Sequence, residues 1–468
     1  MTPTSPLDDL RLQPASAQPL QEQVYQRLRE AIADGRLAPG ERLPSTRSLA
    51  AQLNVARGTV DAAYGRLAGD SWIVGRGAAG TVVAPGLKPL AAQPAPVTSF
   101  APPDDYLWPL RGGVPALDLF PRALWAGLAA KAARRIDVQR LCCPDPRGLP
   151  ELRAAIAAYL LVSRGIACDP AQVFVTAGYQ GALQLVLGLA TKPGDEVWFE
   201  DPGYHFARRA LEAARLRLAL VPVDTAGLDV AHAHRHHPAA RLAVVTPGHH
   251  SPLGVALSPP RRQALLDWAQ AADAWIVEDD YDSEFHYAGR KPPALKSIDR
   301  HDRVFYAGSF SKTLFPGLRL GYLVTPAGWV DAATAACELA GRGLAVQEQA
   351  TVAAFMAEGH YARHLRRMRL RYAERSAALT RALREAFGSG VELSPPDGGL
   401  TLLARFPGRD ADTELAQRAR QHGLAPAPLS AQAITHDAGQ GLLMAFTNVA
   451  PEQAAGVAAR LRRAIDGG

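Results

Sequence analysis

Residues 308–324 read GSFSKTLFPGLRLGYLV and overlap the apolar run RVFYAGS at 303–309. A single lysine, Lys312, has Ser309 and Ser311 just before it and Arg319 seven residues after it. The apolar run is typical of a short buried strand, so the lysine comes directly after a strand end. Because burial favours the neutral form of a lysine, the stretch predicts a strand that presents a reactive amine.

Four more runs of the same kind are present: QVFVTAG (172–178), DEVWFED (195–201), RLAVVTPG (241–248) and AWIVEDD (274–280). Amphipathic segments lie between most of them, and this alternation predicts an α/β domain with a largely parallel sheet. We expect a large part over 106–340 and a smaller, mainly helical C-terminal part over 341–468.

Size and composition narrow the class of protein. The 468 residues predict about three domains, and 48% hydrophobic with 21% charged residues is ordinary for a folded soluble chain. No apolar stretch is long enough to span a membrane, and the first residues do not resemble a secretion signal. The four cysteines, Cys142, Cys143, Cys168 and Cys337, lack metal or redox spacing, so we expect no metal and a reducing cytoplasm.

The first 84 residues follow a different pattern. One helix face repeats at every fourth position: Leu20, Val24, Leu28 and Ile32. Ser45 is a good cap for a second helix, Asn54 and Val55 form a turn, and a third helix follows. The stretch SWIVGRGAAGTVVA (71–84) then predicts a small hairpin. This order is that of a winged helix-turn-helix over 18–84, followed by a Pro/Ala-rich linker over 85–105.

Residues 1–84 hold nine arginines against eight acidic residues, so their net charge alone does not indicate DNA binding. A DNA-binding prediction depends instead on where individual residues lie in the module. The start of the third helix enters the major groove in such modules, and an arginine there can pair with guanine. Early residues of the second helix contact the DNA backbone, and the hairpin approaches a minor groove. The candidates are Thr46, Arg47, Arg57, Gly58, Thr59 and Gly80. A helical bundle with solvated arginines is the alternative.

The stretch PLQEQVYQRLREAIADGRLAPGERLPSTRSLAAQLNVARGTVDAAYGRL (19–67) resembles the DNA-binding domain of the GntR family of bacterial transcription regulators. Ala56 departs from the serine that is common in the family and would cap the third helix. We expect Asn54 to take over this capping role.

The surroundings of Lys312 predict pyridoxal phosphate, which needs a Schiff-base lysine, a carboxylate at its ring nitrogen and a phosphate cradle. Asp279 ends a strand and suits the ring nitrogen, and Tyr281 suits the ring oxygen. The stretch TAGYQGAL (176–183) opens a helix whose first N–H groups attract phosphate. The remaining candidates are Gly178, Tyr179 and Gln180 in that cradle, Ser309, Ser311 and Arg319 around it, and Tyr204 on the ring face. The stretch EDDYD (278–282) alone also fits a solvated acidic loop or a divalent-metal site.

Residues from about 106 to 465 resemble fold-type I aminotransferases, and VEDDYDSEFHY (277–287) with GSFSKTLFPGLRLGYLV looks like the MocR/GabR subfamily. That resemblance implies a GntR-type winged helix fused to an aminotransferase-like domain. It also implies pyridoxal phosphate on Lys312, a head-to-tail homodimer, and regulation of transcription through binding to promoter DNA.

Two departures from the resemblance concern the effector. In TPGHHSPLG (246–254), His250 replaces the usual glutamine, and QGLLMAFTN (440–448) lacks the arginine that commonly grips a substrate carboxylate. Arg208, Arg209 and Arg405 are candidate substitutes that the sequence does not place. We therefore expect sensing of pyridoxal phosphate itself, or of an amino compound without an α-carboxylate. The alternative is an active aminotransferase with an autoregulatory DNA-binding domain.

Overall fold

The computed structural model describes residues 12–13, 18–77, 80–87, 104–287, 291–341, 343–394 and 398–467. The chain forms two compact units, Met1–Pro102 and Pro103–Gly468. Most of the linker predicted over 85–105 lies outside the described residues. No helix in the described ranges is long and apolar enough to cross a membrane.

In its described residues the first unit contains three helices and a hairpin. They are α1 (Leu20–Ala33), α2 (Thr46–Leu53), α3 (Arg57–Gly69), β1 (Ile73–Gly75) and β2 (Thr81–Val83). The predicted helix faces are buried, with Val24, Leu28, Leu49 and Val60 all fully excluded from solvent. β1 and β2 pair antiparallel, with Ile73 opposite Val83. The winged helix-turn-helix order is therefore confirmed.

Capping of these helices follows the prediction at one helix and departs from it at another. The Ser45 hydroxyl accepts a hydrogen bond from the backbone N–H of Ser48 at 3.1 Å, as an N-cap should. Ala56 precedes α3 and provides no side-chain cap. Asn54 does not replace it, because it is left-handed (φ 54°) and ends α2. The expected transfer of the capping role to Asn54 was wrong.

The second unit has thirteen helices in its described ranges: α4 (Arg122–Arg135), α5 (Val138–Cys142), α6 (Pro150–Arg164), α7 (Gly178–Ala190), α8 (His205–Ala213), α9 (Val230–His236), α10 (Pro259–Ala271), α11 (Leu295–Ile298), α12 (Val330–Leu339), α13 (Val346–Ala357), α14 (His360–Phe387), α15 (Asp412–Gln421) and α16 (Ala454–Asp466). Its strands are β3 (Val173–Thr176), β4 (Glu196–Asp201), β5 (Arg217–Asp224), β6 (Gly227–Leu228), β7 (Leu242–Val245), β8 (Trp275–Asp280), β9 (Val304–Ser309), β10 (Gly321–Val324), β11 (Glu392–Ser394), β12 (Thr401–Arg405), β13 (Ala427–Pro428) and β14 (Leu442–Ala445).

Eight of these strands form one sheet in the order β3-β10-β9-β8-β7-β4-β5-β6. The neighbours from β9 through β8, β7 and β4 to β5 are parallel, whereas β10 runs antiparallel to both β3 and β9. All five predicted strands are present, and the predicted largely parallel α/β sheet is confirmed. The carboxyl ends of β4, β7, β8 and β9 therefore meet at one edge of the sheet, where ligands bind in such folds.

The C-terminal part is mainly helical, as expected, and α14 alone has 28 residues. It also contains an antiparallel sheet in the order β11-β12-β14-β13, which the sequence did not reveal. These strands have only two to five residues each, too few to give a clear alternating pattern.

Candidate functional site

Lys312 lies just after β9, and its Nζ donates a hydrogen bond to the carbonyl of Gly113 at 2.9 Å. Burial lowers the pKa of Lys312, and the carboxyls of Asp282 and Asp279 act against that change. Gly113 has a φ of +86°, and a Cβ there would lie 2.8 Å from Nζ. The lysine is thus half-buried near two acids, with a glycine leaving space for its amine.

Asp279 is buried near the end of β8, opposite Ala307 of β9. Burial raises the pKa of its carboxyl well above the usual range, the neighbouring Asp280 adds to this rise, and the Tyr179 hydroxyl opposes it. Asp280 has an ion pair with Arg164 at 2.7 Å, whereas no described cation pairs with Asp279. The Tyr179 hydroxyl is itself buried and makes no hydrogen bond of normal geometry in the described ranges. Asp279 is therefore a buried acid with no ion pair among the described residues, and Lys312 is the cation near it.

The predicted phosphate cradle adjoins the segment that carries the lysine. Gly178 begins α7 with a φ of +70°. It lies so close to Gly321 of β10 that a Cβ on Gly321 would be 2.9 Å from the Gly178 Cα. Gly321 in turn pairs with Ser309 across β10 and β9, and the Ser309 hydroxyl accepts a hydrogen bond from Ser311 N–H at 3.2 Å. Since the first N–H groups of a helix have no partner within it, the start of α7 offers donors beside these serines.

Tyr204 precedes α8 and faces Tyr179, with ring centroids 6.2 Å apart. Burial raises the pKa of Tyr204 to about 12, Asp279 adds to the rise, and Arg319 lowers it. Tyr204 is therefore close to both the acid and the arginine of the predicted site. Arg319 itself is exposed and left-handed (φ 53°), and Gln180 is half-buried on the first turn of α7.

Sequence reasoning missed a hydrogen-bonded group around Tyr281. His249 Nδ1 lies 3.0 Å from the Tyr281 hydroxyl and 3.1 Å from Asp282 Oδ2. Burial opposes ionisation of His249, but Asp282 outweighs it, so the pKa of His249 is raised. The resemblance drew attention to the next residue, His250, whose burial lowers its pKa to about 3. His250 is thus neutral, and His249 is the histidine that touches a predicted cofactor residue.

Glu200, near the end of β4, was also missed. It is buried, and it accepts hydrogen bonds from Thr246 N–H at 3.1 Å and from the Thr246 hydroxyl at 2.7 Å. Burial raises the pKa of Glu200 to about 7, although those hydrogen bonds act in the opposite direction. The charge of Glu200 in turn contributes to the raised pKa of Asp279. No local motif marks Glu200, because its role depends on strands that meet only after folding.

In the stretch 440–448, where the resemblance predicts an arginine that binds a substrate carboxylate, an apolar cluster is present instead. Leu443 of β14 is buried in a cluster with Leu403 and Leu429, and Leu253 packs against this cluster. Arg405 does not replace the arginine there, since it donates to the carbonyl of Gln440 at 2.9 Å and to that of Ala438 at 3.3 Å. Arg208 lies 3.7 Å from Glu212, and Arg209 is exposed.

The DNA-binding candidates lie on one helix-turn-helix and its wing. Arg57 begins α3 with 63% of its side chain exposed and lies 3.4 Å from Asp61. Gly58 is exposed and Thr59 is half-buried beside it; Arg47 is exposed and Thr46 half-buried at the start of α2. Gly80 has a φ of +84°, and a Cβ there would meet the guanidinium of Arg42 at 3.1 Å. Arg42 and Arg76 are exposed near this wing, and the sequence interpretation did not single them out.

Two family models match this chain. "Bacterial regulatory proteins, gntR family" covers residues 20–83, and "Aminotransferase class I and II" covers residues 118–437. Among curated proteins, the probable rhizopine catabolism regulatory protein MocR of Rhizobium meliloti is 36% identical over 93% of this chain and 91% of its own length. The regulator TauR of Rhodobacter capsulatus is 35% identical over 90% of each chain. The pyridoxine biosynthesis regulator PdxR of Corynebacterium glutamicum is 33% identical over 87% of this chain and 88% of its own.

The chain belongs to the MocR-type transcription regulators. It is a DNA-binding regulator with an aminotransferase-like domain, so the resemblance stated from the sequence is confirmed. Solved structures agree with this fold. The α-aminoadipate aminotransferase LysN of Thermus thermophilus, solved with a phosphopyridoxyl-leucine, matches with a TM-score of 0.70 at 27% identity, over 77% of this chain and 92% of its own. The Pyrococcus horikoshii kynurenine aminotransferase matches with a TM-score of 0.69 at 26% identity, over 76% and 90%.

Proposed function

We propose that this MocR-type regulator binds pyridoxal phosphate on Lys312 and that the state of this site sets its affinity for promoter DNA. The observation that carries the proposal is a half-buried lysine of lowered pKa close to Asp279, a buried acid that forms no ion pair among the described residues. An unpaired buried carboxyl is costly, so a protein keeps one where a ligand completes it. The protonated ring nitrogen of pyridoxal phosphate is such a partner for Asp279.

The other residues fit the same group. Tyr281 would bind the ring oxygen, Tyr204 would cover the ring face, and the first turn of α7 would hold the phosphate. The donors proposed for that phosphate are Gly178, Tyr179, Gln180, Ser309, Ser311 and Arg319. When bound, pyridoxal phosphate supplies an aldehyde that captures amines and a ring that withdraws electrons. The chain's own residues orient the ring and keep Lys312 Nζ desolvated, so that its amine is available without a proton.

The leucine cluster around Leu443 argues for sensing and against efficient conversion of α-amino acids. An arginine and a carboxylate form charged hydrogen bonds worth about 1.5–3 kcal/mol each, and leucines replace them with apolar surface. The effector we propose is therefore pyridoxal phosphate itself or an amine without an α-carboxylate. The relatives MocR and PdxR are named for rhizopine catabolism and for pyridoxine biosynthesis, two different pathways.

On the DNA side we infer that Arg57, Gly58 and Thr59 enter the major groove. Thr46 and Arg47 would contact the DNA backbone, and Gly80 would let the wing approach the minor groove. The resemblance to fold-type I aminotransferases supports a homodimer, which would present two such units to two half-sites. Effector binding would change DNA affinity by about 1–3 kcal/mol, a usual size for coupling between two sites.

The DNA contacts can be tested by fluorescence anisotropy with the fragment upstream of the regulator's own gene. Arg57→Ala removes the proposed base contact and should weaken binding about 10- to 100-fold, since such contacts contribute about 1–3 kcal/mol. Arg300→Ala removes the same charge from an exposed position in the second unit and serves as the control. Equal affinity of the two variants and the wild type would contradict the proposed orientation of α3.

A further inference from the structure

A cleft lies next to the predicted cofactor residues and extends away from them. Its volume is about 480 Å³, and it is bounded by the loop after β7, the segment after β8 and the C-terminal sheet. His249 and Asp282 form one wall, and Gly248, Ser283, His286 and Lys291 also line it. None of the last four belongs to the pyridoxal phosphate site proposed above.

Three polar atoms in this lining are buried without a partner. They are Nε2 of His249, Oγ of Ser283 and Nε2 of His286, none of which has a hydrogen bond within the described part of the chain. Buried polar atoms are nearly always hydrogen-bonded in folded proteins. Three unpartnered ones around one cleft indicate that something outside the chain satisfies them.

The charges of the lining indicate what that ligand is. Asp282 Oδ2 already has a hydrogen-bond partner, His249 Nδ1, at 3.1 Å. A Cβ on Gly399 would lie 2.1 Å from the His249 ring, so only a glycine at this position leaves space for the ring. Lys291 contributes an amine whose described hydrogen bond is a long one, 3.5 Å to the carbonyl of Ser163. Burial and Arg164 lower the pKa of Lys291, and the carboxyls of Glu284 and Asp280 act against that change. What remains available is a lysine, a serine hydroxyl and imidazole nitrogens. Such a set of donors suits an oxyanion.

We propose that this cleft is a second ligand site, which binds a small oxyanion such as a carboxylate or a phosphate. Lys291 provides the opposite charge, and Ser283, His286 and His249 donate hydrogen bonds to the oxygens. His249 also contacts Tyr281 at 3.0 Å, so the site touches the proposed cofactor site through a shared side chain. The oxyanion site itself does not require that Lys312 carry a cofactor.

Isothermal titration calorimetry on the full-length chain loaded with pyridoxal phosphate tests this site. The probes are succinate, its uncharged analogue succinamide, and inorganic phosphate; loading keeps the phosphate probe out of the cofactor's own cradle. Lys291→Met removes the proposed charge, and Lys192→Met makes the same change at an exposed position. Succinate or phosphate should bind the wild type and the Lys192 variant and bind Lys291→Met about 10- to 100-fold more weakly. Succinamide should not bind.

The relative affinities of succinate and phosphate identify which oxyanion the cleft prefers. Ser283→Ala is a milder second variant, expected to weaken binding severalfold while leaving the charge in place. Absence of binding by both oxyanions would overturn the proposal, as would equal affinity for succinamide or an unchanged affinity in both cleft variants. A chain that fails to take up pyridoxal phosphate and still binds succinate would refute the proposed function and support this site.

Discussion

The second unit combines two chemically opposite regions, one around Asp279 and one around Leu443. The first is rich in buried ionisable groups, with Lys312, Asp279 and Glu200 all carrying displaced pKa values. The second is a cluster of leucines where an aminotransferase commonly has an arginine. The first region offers groups that suit the proposed cofactor, whereas the residues of the leucine cluster offer no cation for a substrate carboxylate. Such a division is reasonable for a regulator, which needs a ligand to bind without turning it over.

The polar region should make stability depend on pH, and Glu200 contributes an effect whose size can be stated. Its pKa in the folded chain is about 7, against 4.5 normally. Its contribution is therefore complete below about pH 4.5 and is lost as the pH rises through 7. A difference of about 2.5 units corresponds to about 3 kcal/mol.

Glu200→Gln cannot ionise, so it should lack the Glu200 share of this loss, whereas buried acids such as Asp279 and Glu278 keep theirs. Urea unfolding of the cofactor-free protein at pH 5 and pH 8 should therefore show a smaller decrease in the free energy of unfolding for the variant than for the wild type. Thr246→Val, which removes one donor to Glu200 and keeps its carboxyl, is the control and should retain the pH dependence. Identical pH profiles of Glu200→Gln and the wild type would contradict the burial argument.

A smaller effect is expected when the apolar region is altered. Leu443→Arg places a cation at the leucine cluster and should increase the rate of α-amino-acid conversion about tenfold. We expect less than the full free energy of a charged hydrogen bond, because the cluster must rearrange to accept the arginine. Leu443→Met keeps the volume and apolar character and should leave the rate unchanged. Amino-group transfer to a keto acid is the measurement, and thermal unfolding shows whether each variant is folded. A folded, cofactor-loaded Leu443→Arg protein with no gain would show that more than an arginine is missing.

The features that could be predicted from the sequence are those that depend on residues close together in the chain. The apolar runs placed five strands of the large sheet, and the four-residue repeat and Ser45 placed the first helices. The cluster of Lys312, Asp279 and Tyr179 could also be anticipated, because each follows or ends a strand at the same edge of the sheet.

The features that were missed depend on contacts between distant parts of the chain. Gly113 and Lys312 are hydrogen-bonded although 199 residues separate them. His249 and Glu200 gain their roles from neighbours on other strands, and no short motif encodes such neighbours. Asn54 ends α2 in a left-handed conformation, so the same residue does not cap α3.

The central claim is that Lys312 covalently holds pyridoxal phosphate, and chemical trapping tests it most directly. Borohydride reduces a lysine-bound pyridoxal to a stable secondary amine, which peptide mass spectrometry then locates. After incubation with pyridoxal phosphate and reduction, the wild-type chain should carry one phosphopyridoxyl group on the peptide that contains Lys312, and Lys312→Ala should carry none at this site. A wild-type peptide that remains unmodified, or a label that lies on another lysine and persists in Lys312→Ala, would contradict the account.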